Sequence, residues 1–230
     1  MVAPDTKPVA GRSTFPRFIY IAGCDGTGKT THARLLLEQF AARGIRARHV
    51  WLRFPFFFSL PLLACARLRG YSWYEHEGGR RRGYWDFRRS WLMRAVFPWA
   101  LLLDAFTAAL LNIYLPLQIG QIVVCERFVL DMLADLIVAT QNDHLHRSLP
   151  GRWYLCLIPR DARLVVLDLD PETIRARRAD LRSDRRLEAR LEAFRNIARH
   201  LKIDLLSSAP PVGAVHESIL REMDLAARQV

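Results

Sequence analysis

FIYIAGCDGTGKTT, residues 18–31, is the stretch on which the reading of this chain turns. Phe18-Ile19-Tyr20-Ile21-Ala22 is a short apolar run of the kind that forms a buried strand. Gly23-Cys24-Asp25-Gly26-Thr27-Gly28-Lys29-Thr30 then satisfies G-x-x-x-x-G-K-[ST] at every fixed position. THARLLLEQFAARG follows, with helical spacing and a stop at Gly44. Small residues between a strand and a helix let successive N–H groups curl around a phosphate, and the helix adds its positive end. Lys29 is expected at the β- and γ-phosphates of a nucleoside triphosphate, and the Thr30 hydroxyl on Mg²⁺. Gly23, Asp25, Gly26, Thr27, Gly28 and Thr31 complete the loop, so a nucleoside triphosphate and Mg²⁺ are the expected ligands.

Outward from this motif, Ala47–Leu52, Ile122–Cys125 and Leu164–Asp168 read as further strands. Residues 56–69 and 91–114 read as apolar helices, and helices from Pro171 and over 186–205 follow. Strands alternating with helices predict an α/β class, a doubly wound parallel sheet covered on both faces. With 230 residues and 51% hydrophobic composition, one domain over 18–230 can bury a core. Residues 1–17 are rich in Pro, Gly, Ser and Thr and are expected to form a loose tail without secretory character. The four cysteines form no C-x-x-C pair, which argues against a zinc ribbon or disulfide scaffold and fits a reducing cytoplasm. A net charge of +11 suits an anionic partner, although only three of the 34 cations are lysines and the arginine bias is compositional. Residues 95–119 contain no Lys, Arg or Glu and approach the length of a membrane span. Pro98, Asp104, Asn112 and Pro116 interrupt that run, so a core or interface helix is the expectation.

From Phe18 to about Ile219 the chain resembles the thymidylate kinases, a branch of the P-loop nucleoside-monophosphate kinases. Its opening strand and loop, with Asp25-Gly26 inside, look like theirs. Arg53-Phe54-Pro55 looks like their acceptor-phosphate motif, and Glu126-Arg127-Phe128 stands where they have Asp-Arg-Tyr. LDLDPETIRARRADLRSDRRLEARLEAFRNIARHL, residues 167–201, is similar to their fourth strand, arginine-bearing lid and following helix. Ile203-Asp204 and Val215–Ile219 resemble their closing segment. The resemblance implies a three-layer P-loop kinase fold with a lid over 175–188, and phosphoryl transfer from ATP to a nucleoside monophosphate. It also implies that Asp25 contacts the acceptor sugar, that Arg53, Phe54 and Arg127 hold the acceptor, and that Thr30 and Glu126 serve Mg²⁺. A cytoplasmic homodimer is expected.

The residues support parts of this by themselves. Arg53 and Arg127 stand at the carboxyl ends of predicted strands, where such sheets bind ligands, and arginine makes planar bidentate phosphate contacts. The competing reading pairs each with a surface carboxylate. Glu126 can hold Mg²⁺ through water or accept a proton from an attacking hydroxyl. The second role resembles the Glu-Arg-Ser of deoxynucleoside kinases and gives an alternative, a nucleoside kinase with Glu126 as base; Arg53 favours a monophosphate. Arg175, Arg177, Arg178, Arg182, Arg185 and Arg186 crowd the lid segment, mostly as a solvated face, with Arg178 and Arg182 expected at the phosphates.

The sequence also departs from the family. No Arg or Lys lies between Ala95 and Glu126, and Ala105 or Phe106 falls where a base-reading arginine is expected. Asp131 and Asp135 replace a small hydroxyl residue and an aromatic. A base held by apolar contact is discriminated weakly, so the acceptor need not be thymidylate. FPFFFSLPLLACA (54–66) precedes a basic, aromatic insert over 70–90. That insert reads as an acceptor cover, a dimer contact or a peripheral membrane patch, while nucleic acid has thinner support. A further alternative follows, a P-loop protein at a membrane with a non-nucleotide acceptor. The histidines and cysteines show no metal-ligand spacing.

Overall fold

The structure, a computed structural model, describes residues 16–77 and 80–227. In chain order it comprises β1 (Phe18–Gly23), α1 (Lys29–Ala42), β2 (Ala47–Trp51), α2 (Leu60–Leu68), β3 (Ser72–Glu77) and β4 (Arg80–Trp85). α3 (Trp91–Ala109) runs through a π-helical turn, Leu110–Tyr114, into α4 (Leu115–Gln118). Then come β5 (Ile122–Glu126), α5 (Val129–Thr140), α6 (Leu149–Cys156), β6 (Arg163–Asp168), α7 (Pro171–Arg177), α8 (Leu187–Leu201), β7 (Leu205–Ser207) and α9 (Val212–Ala227). The tail expected over residues 1–17 lies outside the described residues up to residue 15.

β2, β5, β1, β6 and β7 form one parallel sheet in that order. β1 lies at its centre with all six residues buried, and alternation along the strand divides the interior in two. Ile19 and Ile21 join a cluster with Leu36 and Phe40 of α1 and Ile219 of α9. Phe18, Tyr20 and Ala22 join a larger one with Phe97 of α3, Leu133 of α5 and Phe194 of α8. This is the expected α/β sandwich of helices on both faces of a parallel sheet. The chain places β5 on one side of β1 and β6 on the other. The carboxyl end of β1 is therefore a topological switch point, the place where open α/β sheets bind ligands.

Three local differences from the sequence reading have physical causes. The helix expected over 56–69 begins only at Leu60, because Phe54 adopts a left-handed φ of 55° and Pro61 favours a first-turn position. The insert over 70–90 contains an antiparallel hairpin that pairs Trp73 with Tyr84 and Tyr74 with Gly83. The helix expected over 91–114 continues to Gln118, and its π-turn ends two residues before Pro116, which has no N–H to continue the α pattern. Trp91–Gln118 is long and apolar enough to cross a membrane, but Phe97, Leu101, Ala105 and Ile113 are fully buried in the core. Its outer face is exposed.

Candidate functional site

The loop Gly23–Gly28 turns from β1 into α1, and its glycines are dictated by geometry. A Cβ on Gly23 (φ 139°) would meet Leu167 O of β6 at 2.4 Å, and Gly28 has φ 90°. Among the described residues Thr27 N–H donates to Cys24 O, while the N–H groups of Asp25, Gly26 and Gly28 donate to no backbone carbonyl. With the first-turn amides of α1, including Thr31, they form the donor set of an anion cradle. Lys29 is buried at its floor, its Nζ donating to Gly23 O at 2.6 Å and Cys24 O at 2.8 Å. Burial lowers its pKa from the usual lysine value.

Thr30 Oγ1 donates to Glu126 Oε2 at 2.7 Å, joining the loop to the end of β5. Glu126 Oε1 lies 3.1 Å from His49 Nε2 on β2. A hydroxyl and a buried carboxylate so placed fit the hard, oxygen-rich ligand set that Mg²⁺ takes beside phosphates. No group of three or more His, Cys, Asp or Glu able to hold a metal alone occurs among the described residues. The pair therefore fits a metal shared with phosphate oxygens.

On the other side of the loop Asp25 gathers cations. Its Oδ2 lies 3.4 Å from Arg53 Nη1, and its Oδ1 pairs with Arg127 Nη1. Burial pushes the Asp25 carboxyl up, but Arg53, Arg127, Lys29 and Arg190 outweigh it and hold the pKa well below the usual carboxylate range. Arg53 also reaches Asp135 Oδ2 at 3.3 Å, and its guanidinium lies over the Phe54 ring. Arg127 takes a left-handed φ of 58° just before α5, where Tyr20 accepts the N–H groups of Phe128 and Leu130.

These groups open onto a cavity of about 380 Å³. Its apolar wall is Phe54, Phe56, Leu63, Trp85, Val138 and Ala139. Its charged lining is Arg53, Arg127, Arg178, Arg186 and Arg190 against Asp25, Asp135 and Asp180. Five guanidinium groups against three carboxylates favour an anionic occupant. A second cavity of about 490 Å³ lies on the far side of the loop, lined by Gly26, Gly28, Thr31, His32, Arg177 and the segment 208–212. The loop thus sits between two cavities.

The sequence-derived residues of the loop, Arg53, Phe54, Glu126 and Arg127 come together here. Arg178 lines the cavity and makes two 2.8 Å bonds to Asp180. Arg182, its expected partner, is exposed and lines neither cavity. Residues 175–188, expected as a lid, fold as the end of α7, a 3₁₀ turn and the start of α8, and Arg175 pairs with Glu188 as on a solvated face. Arg186 and Arg190, which sequence reading did not single out for the site, line the cavity instead. Arg190 is buried and ion-paired with Asp184, and Arg186 donates to Trp85 O. Ala105 is buried and Phe106 exposed, and neither reaches the cavity. No family model matches the chain, and no curated protein does.

One buried carboxyl beside the cluster gives a pH prediction. Asp131 accepts the Tyr20 hydroxyl at 3.2 Å, and burial raises its pKa to about 6 against the lowering pull of Lys29, Arg127 and Arg53. Its ordinary value is near 4, so the native state loses stability relative to the unfolded chain as pH rises from about 4 through 6. At pH 8 the cost is about 2–3 kcal/mol. Asp131→Asn keeps an acceptor for Tyr20 and removes the charge. Urea unfolding should find it more stable than wild type at pH 8, with the difference vanishing by pH 4. A difference independent of pH would refute the shift.

Proposed function

We propose that the chain transfers the terminal phosphoryl group of ATP to an acceptor that already carries a phosphate, of the nucleoside-monophosphate class. The observation that carries this reading is the phosphate loop standing between two cavities, one of them arginine-rich. The loop amides and Lys29 bind the donor phosphates, and Thr30 and Glu126 hold the metal. ATP supplies the phosphoryl group, and Mg²⁺ screens its charge. Arg53 and Arg127 offset the repulsion between two anions and orient the acceptor phosphate, while Asp25 keeps both guanidinium groups in register. Arg178, Arg186 and Arg190 close the polar side, and the aromatic wall stacks on the acceptor's uncharged part.

The nucleoside-kinase alternative needs Glu126 free as a base. Both of its oxygens are instead engaged by Thr30 and His49, which favours the metal role. ADP release measured over matched nucleosides and monophosphates separates the two. Activity is expected with monophosphates, with loose preference among the bases because the wall carries no Asn or Gln to read a base edge. Activity confined to unphosphorylated nucleosides, or thymidylate preferred more than about a thousandfold, is outside the range an apolar wall gives and defeats this account. Arg53→Ala should raise the acceptor KM about 10- to 100-fold through the lost charge-assisted contact while leaving the KM for ATP nearly unchanged.

A further inference from the structure

We infer that His49 is a positioning residue for Glu126, and that it sets how strongly the nucleotide site holds Mg²⁺. The inference rests on the metal role proposed above for Thr30 and Glu126. Alternation along β2, an edge strand of the sheet, puts His49 and Trp51 on one face. Trp51 is the register partner of Glu126, and His49 stands opposite Val124, two residues earlier on β5. His49 therefore reaches Glu126 on the diagonal, a span that a long or aromatic side chain bridges between neighbouring strands. Thr30 comes to the same carboxylate from the first turn of α1. Three elements thus meet on one group: β5 carries it, α1 holds Oε2 and β2 holds Oε1.

The two partners differ in what they can do. Thr30 is itself placed to serve the metal, whereas the one side-chain bond of His49 among the described residues is to Glu126. Whatever His49 contributes therefore passes through the carboxylate. A carboxylate only accepts, so the ring nitrogen facing Oε1 carries its proton and donates. One anchored oxygen leaves a carboxylate free to turn, and an anchor on each oxygen fixes its plane. Mg²⁺ demands near-ideal octahedral geometry, so a carboxylate held in one orientation serves it better than one that turns. Hydrogen-bond partners behind a metal-binding group change metal affinity by about 10- to 100-fold when removed. An ion pair with both members in solvent would contribute little. Here the imidazole is 39% exposed but the carboxylate only 2%, so the bond orients a group that water cannot reorient.

ATP binding without acceptor, measured by calorimetry in EDTA and again with excess Mg²⁺, tests this. His49→Ala should match wild type in EDTA and bind about 10- to 100-fold more weakly with Mg²⁺, its circular dichroism unchanged. His49→Gln puts an uncharged amide N–H where the ring N–H stands and should restore most of the lost affinity. Glu126→Gln should lose the same Mg²⁺-dependent affinity, and adding His49→Ala to it should change nothing further. Full Mg²⁺-dependent affinity in His49→Ala, an equal loss in EDTA, or additive losses in the double variant overturns the inference. So does His49→Gln binding as poorly as His49→Ala, since the donor would then be irrelevant. Full affinity in Glu126→Gln would instead remove the metal role proposed for that residue, so the reading and the inference fail on different variants.

Discussion

Lys29→Ala should lower the ADP-release rate with a monophosphate acceptor by at least about 10²–10³-fold, the scale of losing one preorganised group on a transferring phosphoryl. Lys29 is the one lysine among the described residues of the loop, and two loop carbonyls fix its ammonium below the amide cradle. No neighbour replaces it, because Arg53 and Arg127 are already committed to Asp25 on the side of the arginine-rich cavity. The fold should survive, since burial already opposes the charge and removing it relieves that cost. Circular dichroism and a melting curve near wild type, with turnover lost, is the expected pair of results. Wild-type turnover in Lys29→Ala would refute the assignment at its root.

Asp104→Ala should cost about 3 kcal/mol, lowering the melting temperature by about 6–12 °C for a chain of this size. Asp104 is 2% exposed and accepts three hydrogen bonds, from Phe58 N–H at 2.6 Å, Ser59 N–H at 3.0 Å and Ser59 Oγ at 2.5 Å. Truncation leaves the fully buried Ser59 with two unanswered donors. Because α2 also carries Leu63 into the arginine-rich cavity, the loosened helix should, on the proposed function, raise the acceptor KM more than the ATP KM. Asp104→Asn keeps one acceptor oxygen and should lose roughly half as much stability. An Asp104→Ala chain that melts with wild type would show that this contact does not hold α2 in place.

Much of the fold was readable from the sequence because the glycine-rich loop constrains its surroundings so tightly. G-x-x-x-x-G-K-T between an apolar run and a helical one admits few other folds, and the strand ends bearing Glu126 and Arg127 follow from it. The arginines of 175–190 were harder, since they look alike in sequence. Arg178 reaches the cavity and Arg182 does not, because the 3₁₀ turn at Ala179–Leu181 intervenes and redirects the chain. Arg186 and Arg190 arrive through the packing of α8 against α5, which no local pattern encodes. His49 reads as an ordinary strand residue until β2 is paired with β5, the strand that ends in Glu126. The hairpin did have a local signal, Gly78-Gly79 between two aromatic-bearing runs, but its many arginines read more readily as a polar insert. β7 is three residues long and half exposed, too short to leave a pattern.

The division of the interior by the central sheet bears on how this molecule can change. Val215, beside the second cavity, belongs to the smaller cluster with Leu36 and Phe40, whereas Phe54, Phe56, Leu63 and Trp85 pack on the larger one. Repacking on one face meets the other only through the backbone of β1 and its neighbours. Substitutions on opposite faces should therefore add rather than interact, as distant sites without shared neighbours do. The aromatic wall is free to be rebuilt by descent or by an engineer while the smaller cluster under α1 and α9 stays as it is, which makes the two faces of the sheet separately inheritable.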